Sequence, residues 1–269
     1  MTVNRGELVS IIGPSGSGKT TLLNIVGGLD KATAGLIRIG DLEVTTLPDS
    51  GLVEVRRKIV GHIFQTLNLV PTLTTFENVE MPMLLAGLER DTRRKRVEEL
   101  LEVVGLSKRM DHKPDELSGG EQQRVAIAAA LANDPPVILA DEPTGELDSV
   151  NARMITEFLV RVNKEFGKTI VMVTHDSNVA RTADRILRIE DGVIKAQMEP
   201  AQIAEEVVSV SYVDTLRTRI ANIDAQLQKL DDVFRSRMIS GDFYVEQRQR
   251  LKQTRQSLEE ELHRMGVTT

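Results

Sequence analysis

The sequence predicts an α/β protein with a mostly parallel sheet, and three observations predict it. Apolar runs of strand length alternate with segments of helical period. A glycine-rich turn joins the first such run to the first helix, and an Asp-Gly pair near residue 191 marks a closing hairpin. Strands that alternate with helices need crossover connections, and these leave the strands parallel.

Leu8–Ile12 is a short apolar run entering the glycine-rich turn, and Thr20–Val26 follows with helical spacing. That order predicts a buried strand, a phosphate-sized loop and a helix. Leu36–Ile39 alternates between Gly35 and Gly40, as a half-buried strand does. Helices are expected at about Ser50–Lys58, Thr75–Leu85 and Thr92–Val104, the last ended by Gly105. The alternating charges of Arg90–Glu99 surround Val97, Leu100 and Leu101, the pattern of a solvated helix face rather than a nucleic-acid patch. A further helix runs from Gly120 to about Ala132. Strands at Val137–Ala140 and Ile170–Val173 flank a helix at Ser149–Phe166. Ile186–Ile189 and Val193–Ala196 are joined by Glu190-Asp191-Gly192, a hairpin signal.

Composition changes after Lys195. Leu216, Ile220, Ile223, Leu227, Leu230 and Phe234 step by 4, 3, 4, 3, 4, the spacing of a coiled-coil seam. Ser240-Gly241-Asp242 interrupts it, and Tyr244, Leu251, Leu258, Leu262 and Met265 mark a second helix. Residues 212–265 are therefore expected to form an antiparallel helical hairpin.

The 269 residues carry a net charge of −6, so the whole molecule has no electrostatic mark of a nucleic-acid binder. There is no cysteine, which excludes disulfides, thiolate metal sites and cysteine nucleophiles. No apolar stretch approaches the roughly 20 residues that cross a bilayer. Met1–Glu7 has no secretion-signal pattern, and a cytoplasmic location is expected.

Gly13-Pro14-Ser15-Gly16-Ser17-Gly18-Lys19-Thr20 fits the P-loop (Walker A) pattern. Glycines let several N–H groups converge on phosphate oxygens, and the helix that follows adds its partial positive charge. Lys19 is expected at the β- and γ-phosphates, Thr20 on Mg²⁺, and Thr21 within the same nucleotide-binding turn. Val137–Ala140 leads into Asp141-Glu142, at the strand edge where open parallel sheets bind ligands. There Asp141 can hold Mg²⁺ and Glu142 can act as general base toward the attacking water. Ser118-Gly119-Gly120 before a helix is a second anion cradle without a lysine. It can cap the γ-phosphate of a nucleotide held by another subunit. It also reads as an N-cap, with Ser118 and Glu121 forming a capping box, and the two roles are compatible.

Leu117–Arg124 resembles the signature motif of ABC-family ATPases, with the P-loop and Asp141-Glu142 on the expected sides of it. Gln65, after Ile63-Phe64, resembles the glutamine that senses Mg²⁺ and the attacking water. Pro143–Asp148 resembles the loop that crosses the dimer interface, and His175 the histidine that contacts the γ-phosphate. The resemblance covers about residues 3–198. Within the family, Ile63–Leu88 and Glu142–Asp148 most resemble the lipoprotein-releasing, macrolide-export and cell-division type ATPases. The resemblance implies a P-loop NTPase core, a helical signature subdomain at about 68–133 and an antiparallel β part shortened on its N-terminal side; beyond it, the change in composition and the seam spacing leave a linker at 199–211 and the helical hairpin within 212–269. Only twelve residues precede Gly13 and none is aromatic, whereas family members begin earlier and stack an aromatic on the adenine.

The function so implied is ATP binding and hydrolysis with Mg²⁺. Glu142, His175, Gln65 and Lys19 are the expected catalytic residues, and Thr20, Gln65 and Asp141 the expected metal ligands. Nucleotide contacts are expected from Gly13–Thr21 of one copy and from Ser118, Gly119, Gly120, Glu121 and Asp148 of a second copy placed head to tail. The partner implied is a membrane permease met through the region after Gln65, which would hold the chain at the inner face of the cell membrane. No nucleic acid is expected. Two other readings fit the family: a soluble ATPase of translation or DNA repair, and a weakly hydrolysing regulatory subunit.

Overall fold

The computed structural model describes residues 1–145, 147–200, 220, 223–224, 226–231, 234–235 and 241–264. The chain divides into two compact units, Met1–Ala201 and Gln202–Thr269.

The first unit is built on a six-stranded sheet. Its strands are β1 (Leu8–Ile12), β4 (Val60–Ile63), β5 (Val137–Asp141), β6 (Thr169–Val173), β7 (Arg185–Glu190) and β8 (Val193–Met198). Their spatial order is β4-β5-β6-β1-β7-β8, parallel except for β8, which pairs antiparallel with β7. Every residue of β6 is buried, which explains why the central strands read as unbroken apolar runs rather than alternating ones. Val9, Ile11, Leu139, Val171 and Val173 form the middle of the core. Ile11 and Asp141 both stand opposite Val173, so β1, β5 and β6 end together and release their loops on one edge.

Helix α1 (Lys19–Val26) follows β1 through the glycine-rich turn. Between them and β4 lie β2 (Arg38–Ile39), β3 (Leu42–Glu43) and α2 (Asp49–Glu54). The strand expected over Leu36–Ile39 pairs only at Arg38–Ile39. Ile37 is diverted: its N–H donates to the Thr45 hydroxyl at 2.9 Å and its carbonyl accepts from Val44 N–H at 2.9 Å. The helix expected over Ser50–Lys58 is also corrected. Its α-helical part stops at Glu54, and Val55–Ile59 is a π turn that puts Val55 in the core. Strand β4 begins at once. Sequence pattern misses it because Gly61 and His62 break its apolar run, and Gly61 is needed there: a Cβ would lie 2.4 Å from the Ala130 carbonyl.

Helices α3 (Thr75–Leu85), α4 (Arg90–Val103) and α5 (Gly119–Leu131) pack on one another beside β4. Val97 and Leu101 of α4 are fully buried, while its charged residues face solvent, as the amphipathic spacing requires. Helix α6 (Ser149–Phe166) crosses from β5 to β6 and ends at Gly167, whose φ is 62°. The short α7 (Ser177–Ala180) carries no periodic signal long enough to read.

In the second unit a helix spans Gly241–Arg264. Asp224 meets Arg255 at 2.7 Å, Asp231 meets Arg248 at 3.3 Å, and Phe234 stacks on Tyr244 at 4.1 Å. Partners advance along one segment as they retreat along the other, so the two segments are antiparallel. Leu216 and Met265 of the expected seams lie outside the described residues.

His62 faces the end of α1, its Nε2 3.3 Å from the Gly27 carbonyl. Burial, aided by the Arg56 charge, holds its pKa below 6.5 while Gly27 pulls the other way. The unfolded chain then takes up a proton near pH 6.5 that the folded chain refuses. His62 therefore destabilises the fold as pH drops below about 6.5 and has no such effect above it. Urea unfolding between pH 7.5 and 5.5 should show this loss, and His62→Asn should flatten it; an unchanged pH dependence would count against the assignment.

Candidate nucleotide-binding site

Gly13–Thr20 wraps the C-terminal end of β1 into the first turn of α1. Gly18, at the N-cap of α1, has φ 94° and ψ 13°, a left-handed conformation that a side chain disfavours. Gly13 has no room for a side chain, since a Cβ would lie 2.1 Å from the Ile189 carbonyl. Lys19 is buried and folds back over the turn, its Nζ donating to the Gly13 and Pro14 carbonyls at 2.9 Å each. The ammonium is thus parked inside the loop whose amides would receive a phosphate.

A cavity of about 400 Å³ opens at this turn. Gly13, Ser15, Gly16, Gly18, Lys19, Thr20 and Thr21 line it on one side, and Gln65, Asp141, Glu142 and His175 on the other. The sheet explains the convergence: β1, β4, β5 and β6 all end on this edge, and each delivers its side chains from its last residue or the first few past it.

Burial is the largest influence on the Asp141 carboxyl and raises its pKa; the neighbouring Glu142 also raises it, while Thr20 and Lys19 oppose. Its Oδ1 is buried with no hydrogen-bond partner. A buried carboxylate oxygen left over beside a threonine hydroxyl fits the hard-oxygen ligand set of Mg²⁺. Glu142 has φ 45°, a strained value for a non-glycine residue. Its Oε2 accepts from His175 Nδ1 at 2.9 Å and from the His175 main-chain N–H at 3.3 Å. Glu142 is nearly covered and His175 largely exposed.

Ser118, Gly119, Gly120, Glu121 and Asp148 are not among the residues around this cavity. The Ser118 hydroxyl accepts from Glu121 N–H at 3.3 Å, and Glu121 accepts from Ser118 N–H at 2.8 Å, so the capping box forms. The Ser118 N–H, and its hydroxyl at 2.9 Å, both donate to the Glu121 carboxylate and hold it below its ordinary pKa. Asp148 caps α6, accepting from the Val150 and Asn151 amides at 3.0 Å. Asn151 carries no motif signal, yet it joins the two turns. Its side chain donates to Asp148 at 2.6 Å, and its Oδ1 stands 2.3 Å from where a Gly120 Cβ would be.

Comparison with known proteins agrees with this arrangement. The family model for ABC transporters matches residues 1–145. An ABC transporter ATP-binding protein of Methanocaldococcus jannaschii, MJ0796, is 50% identical over 201 residues, which are 73% of this chain and 86% of that protein. The macrolide export ATP-binding/permease protein MacB of a Shewanella species is 44% identical over 246 residues, 91% of this chain but 35% of that longer protein. A dimeric structure of MJ0796 in a post-hydrolysis state, bound to ADP and Pi, superposes with a TM-score of 0.69 at 48% identity, covering 74% of this chain and 88% of that one. The structure of cbiO1 from Clostridium perfringens, part of an ABC transporter complex, superposes with a TM-score of 0.71 at 31% identity, covering 78% and 84%. The chain belongs to the ABC transporter family, in the class of its ATP-binding proteins.

Proposed function

We propose that the chain is the ATP-hydrolysing subunit of an ABC transporter, acting as a head-to-tail pair that drives a separate membrane permease of the mechanotransmission type. One observation carries this reading. Gln65, Asp141, Glu142 and His175 gather around the P-loop, while the Ser118-Gly119-Gly120 turn lies outside that cavity in its own chain. The second glycine turn then serves a phosphate held by the partner copy. The dimeric state of the MJ0796 structure supports the same arrangement.

Lys19 exchanges the Gly13 and Pro14 carbonyls for β- and γ-phosphate oxygens, and the loop amides and the α1 N-terminus complete the grip. Thr20, Gln65 and Asp141 would hold Mg²⁺, which when bound neutralises charge between the β- and γ-phosphates. Glu142 accepts a proton from the attacking water, and His175 reaches the γ-phosphate from the end of β6. Closure of the pair brings up Ser118, Gly119, Gly120, Glu121 and Asp148 of the partner copy and excludes bulk water.

A groove of about 310 Å³ runs beside Gln65, walled by Leu67, Leu69, Val70, Met81 and Pro82, with Arg56 and Arg57 alongside. It offers apolar seating for a segment of the permease and opens against the chain that carries Gln65. Through the permease the chain sits at the inner face of the cell membrane. None of the helices among the described residues is long and apolar enough to cross a membrane. Purified chain should release phosphate from MgATP and pair when ATP is added. A chain that stayed monomeric with ATP and released no phosphate above background would overturn the proposal.

A further inference from the structure

Asn78 lies in the first turn of α3, is only 6% exposed, and does not line the nucleotide cavity. Its Oδ1 accepts from Val70 N–H at 2.8 Å. Its Nδ2 donates toward the carbonyls of Val70 at 3.2 Å, Leu73 at 3.1 Å and Thr74 at 2.9 Å. A primary amide has two N–H donors, so three carbonyls share them and the side chain is saturated. All of these bonds go to the main chain at the far end of the segment that starts with Gln65.

The bonding continues in one direction from there. Thr75, 1% exposed, donates its N–H and its hydroxyl to the His112 carbonyl at 2.7 and 3.0 Å, and Phe76 N–H donates to Met110 at 2.9 Å. The stretch at 110–112 then leads to the Ser118 turn. Gln122 Nε2 fixes that approach on the Pro114 and Leu117 carbonyls at 2.8 and 3.1 Å, and Arg109 pairs with Glu121 at 3.5 Å. Asn78 also lines the groove beside Gln65. One buried amide thus stands where the groove, the Gln65 segment and the path to the Ser118 turn meet.

We propose that Asn78 is a positioning residue for hydrolysis. It locks the segment after Gln65 onto α3, so that Gln65 and the Ser118 turn keep one fixed relation and a displacement at the groove reaches both. This rests on the nucleotide-pocket reading above. It adds a role for a residue that touches neither nucleotide nor metal.

The test uses the full chain. Asn78→Ala is expected to lower kcat for MgATP about tenfold while KM for ATP stays within about twofold, because the P-loop is untouched. The Asn78→Ala, Gln65→Ala double variant should be no slower than Gln65→Ala alone, since both act at one point. Asn78→Asp keeps the acceptor for Val70 but turns a second oxygen toward three carbonyls, and it should show the same split between kcat and KM. Should the alanine variant fail to fold, Thr75→Val removes only the hydroxyl bond to His112 and should reproduce the split at smaller size. A kcat within about twofold of the wild type in these variants, or losses that multiply with Gln65→Ala, would overturn the proposal. A wild-type chain that does not hydrolyse ATP would instead overturn the pocket reading, and this one with it.

Discussion

Glu142→Gln should reduce ATP turnover roughly 10²- to 10⁴-fold, the range set by losing a general base, while ATP binding persists and a stable pair accumulates. The substitution keeps the volume of the side chain and an oxygen that can accept from His175, now 2.9 Å away. It removes only the ability to take a proton from water. The backbone at this position is already held at φ 45° with its N–H bonded to the Val173 carbonyl at 2.9 Å, so the amide should sit where the carboxylate did. Phosphate release, read beside size-exclusion chromatography in MgATP, separates the two effects. A variant that hydrolysed ATP at the normal rate would place the base elsewhere. One that lost binding and turnover together would mean that Glu142 shapes the pocket instead.

The residues that make this prediction possible were legible in the sequence because phosphate chemistry depends on local backbone. A turn that presents amides needs glycines in succession, and an acid at the end of a buried strand is visible beside the apolar run before it. The Gly13–Thr20 turn, Asp141, Glu142 and His175 are each written close to a strand end, and all of them except Pro14 and Ser17 of the turn line one cavity. What could not be read is held across the fold. Strand β4 was hidden because its Gly61 answers to the Ala130 carbonyl, 2.4 Å from where a Cβ would stand, and an approach of this kind is set by tertiary packing and not by periodicity. Asn78 and Asn151 belong to no motif. Asn78 matters through the carbonyls of the loop just before its own helix, and Asn151 through Gly120 of a distant turn.

Mixing two inactive variants should restore activity, and this outcome follows only if each pocket is shared. Lys19→Ala removes the phosphate-gripping charge from one half of the pocket. Gly119→Asp places a carboxylate where the other half would face the γ-phosphate. The second change should fold, since the nearest atom to a Cβ at Gly119 is Leu147 Cδ2 at 3.8 Å, and an acid in the first turn of α5 suits the helix dipole. Each variant alone is defective in both pockets of its pair and should lose most turnover. In a mixed pair, one pocket collects both defects while the other joins an intact Lys19 loop to an intact Gly119 turn. Half of the pairs in an equal mixture are mixed, so roughly a quarter of wild-type turnover should return if the pockets act independently. Pockets confined to single chains would give no recovery at any ratio, because every chain present would carry a disabling change of its own.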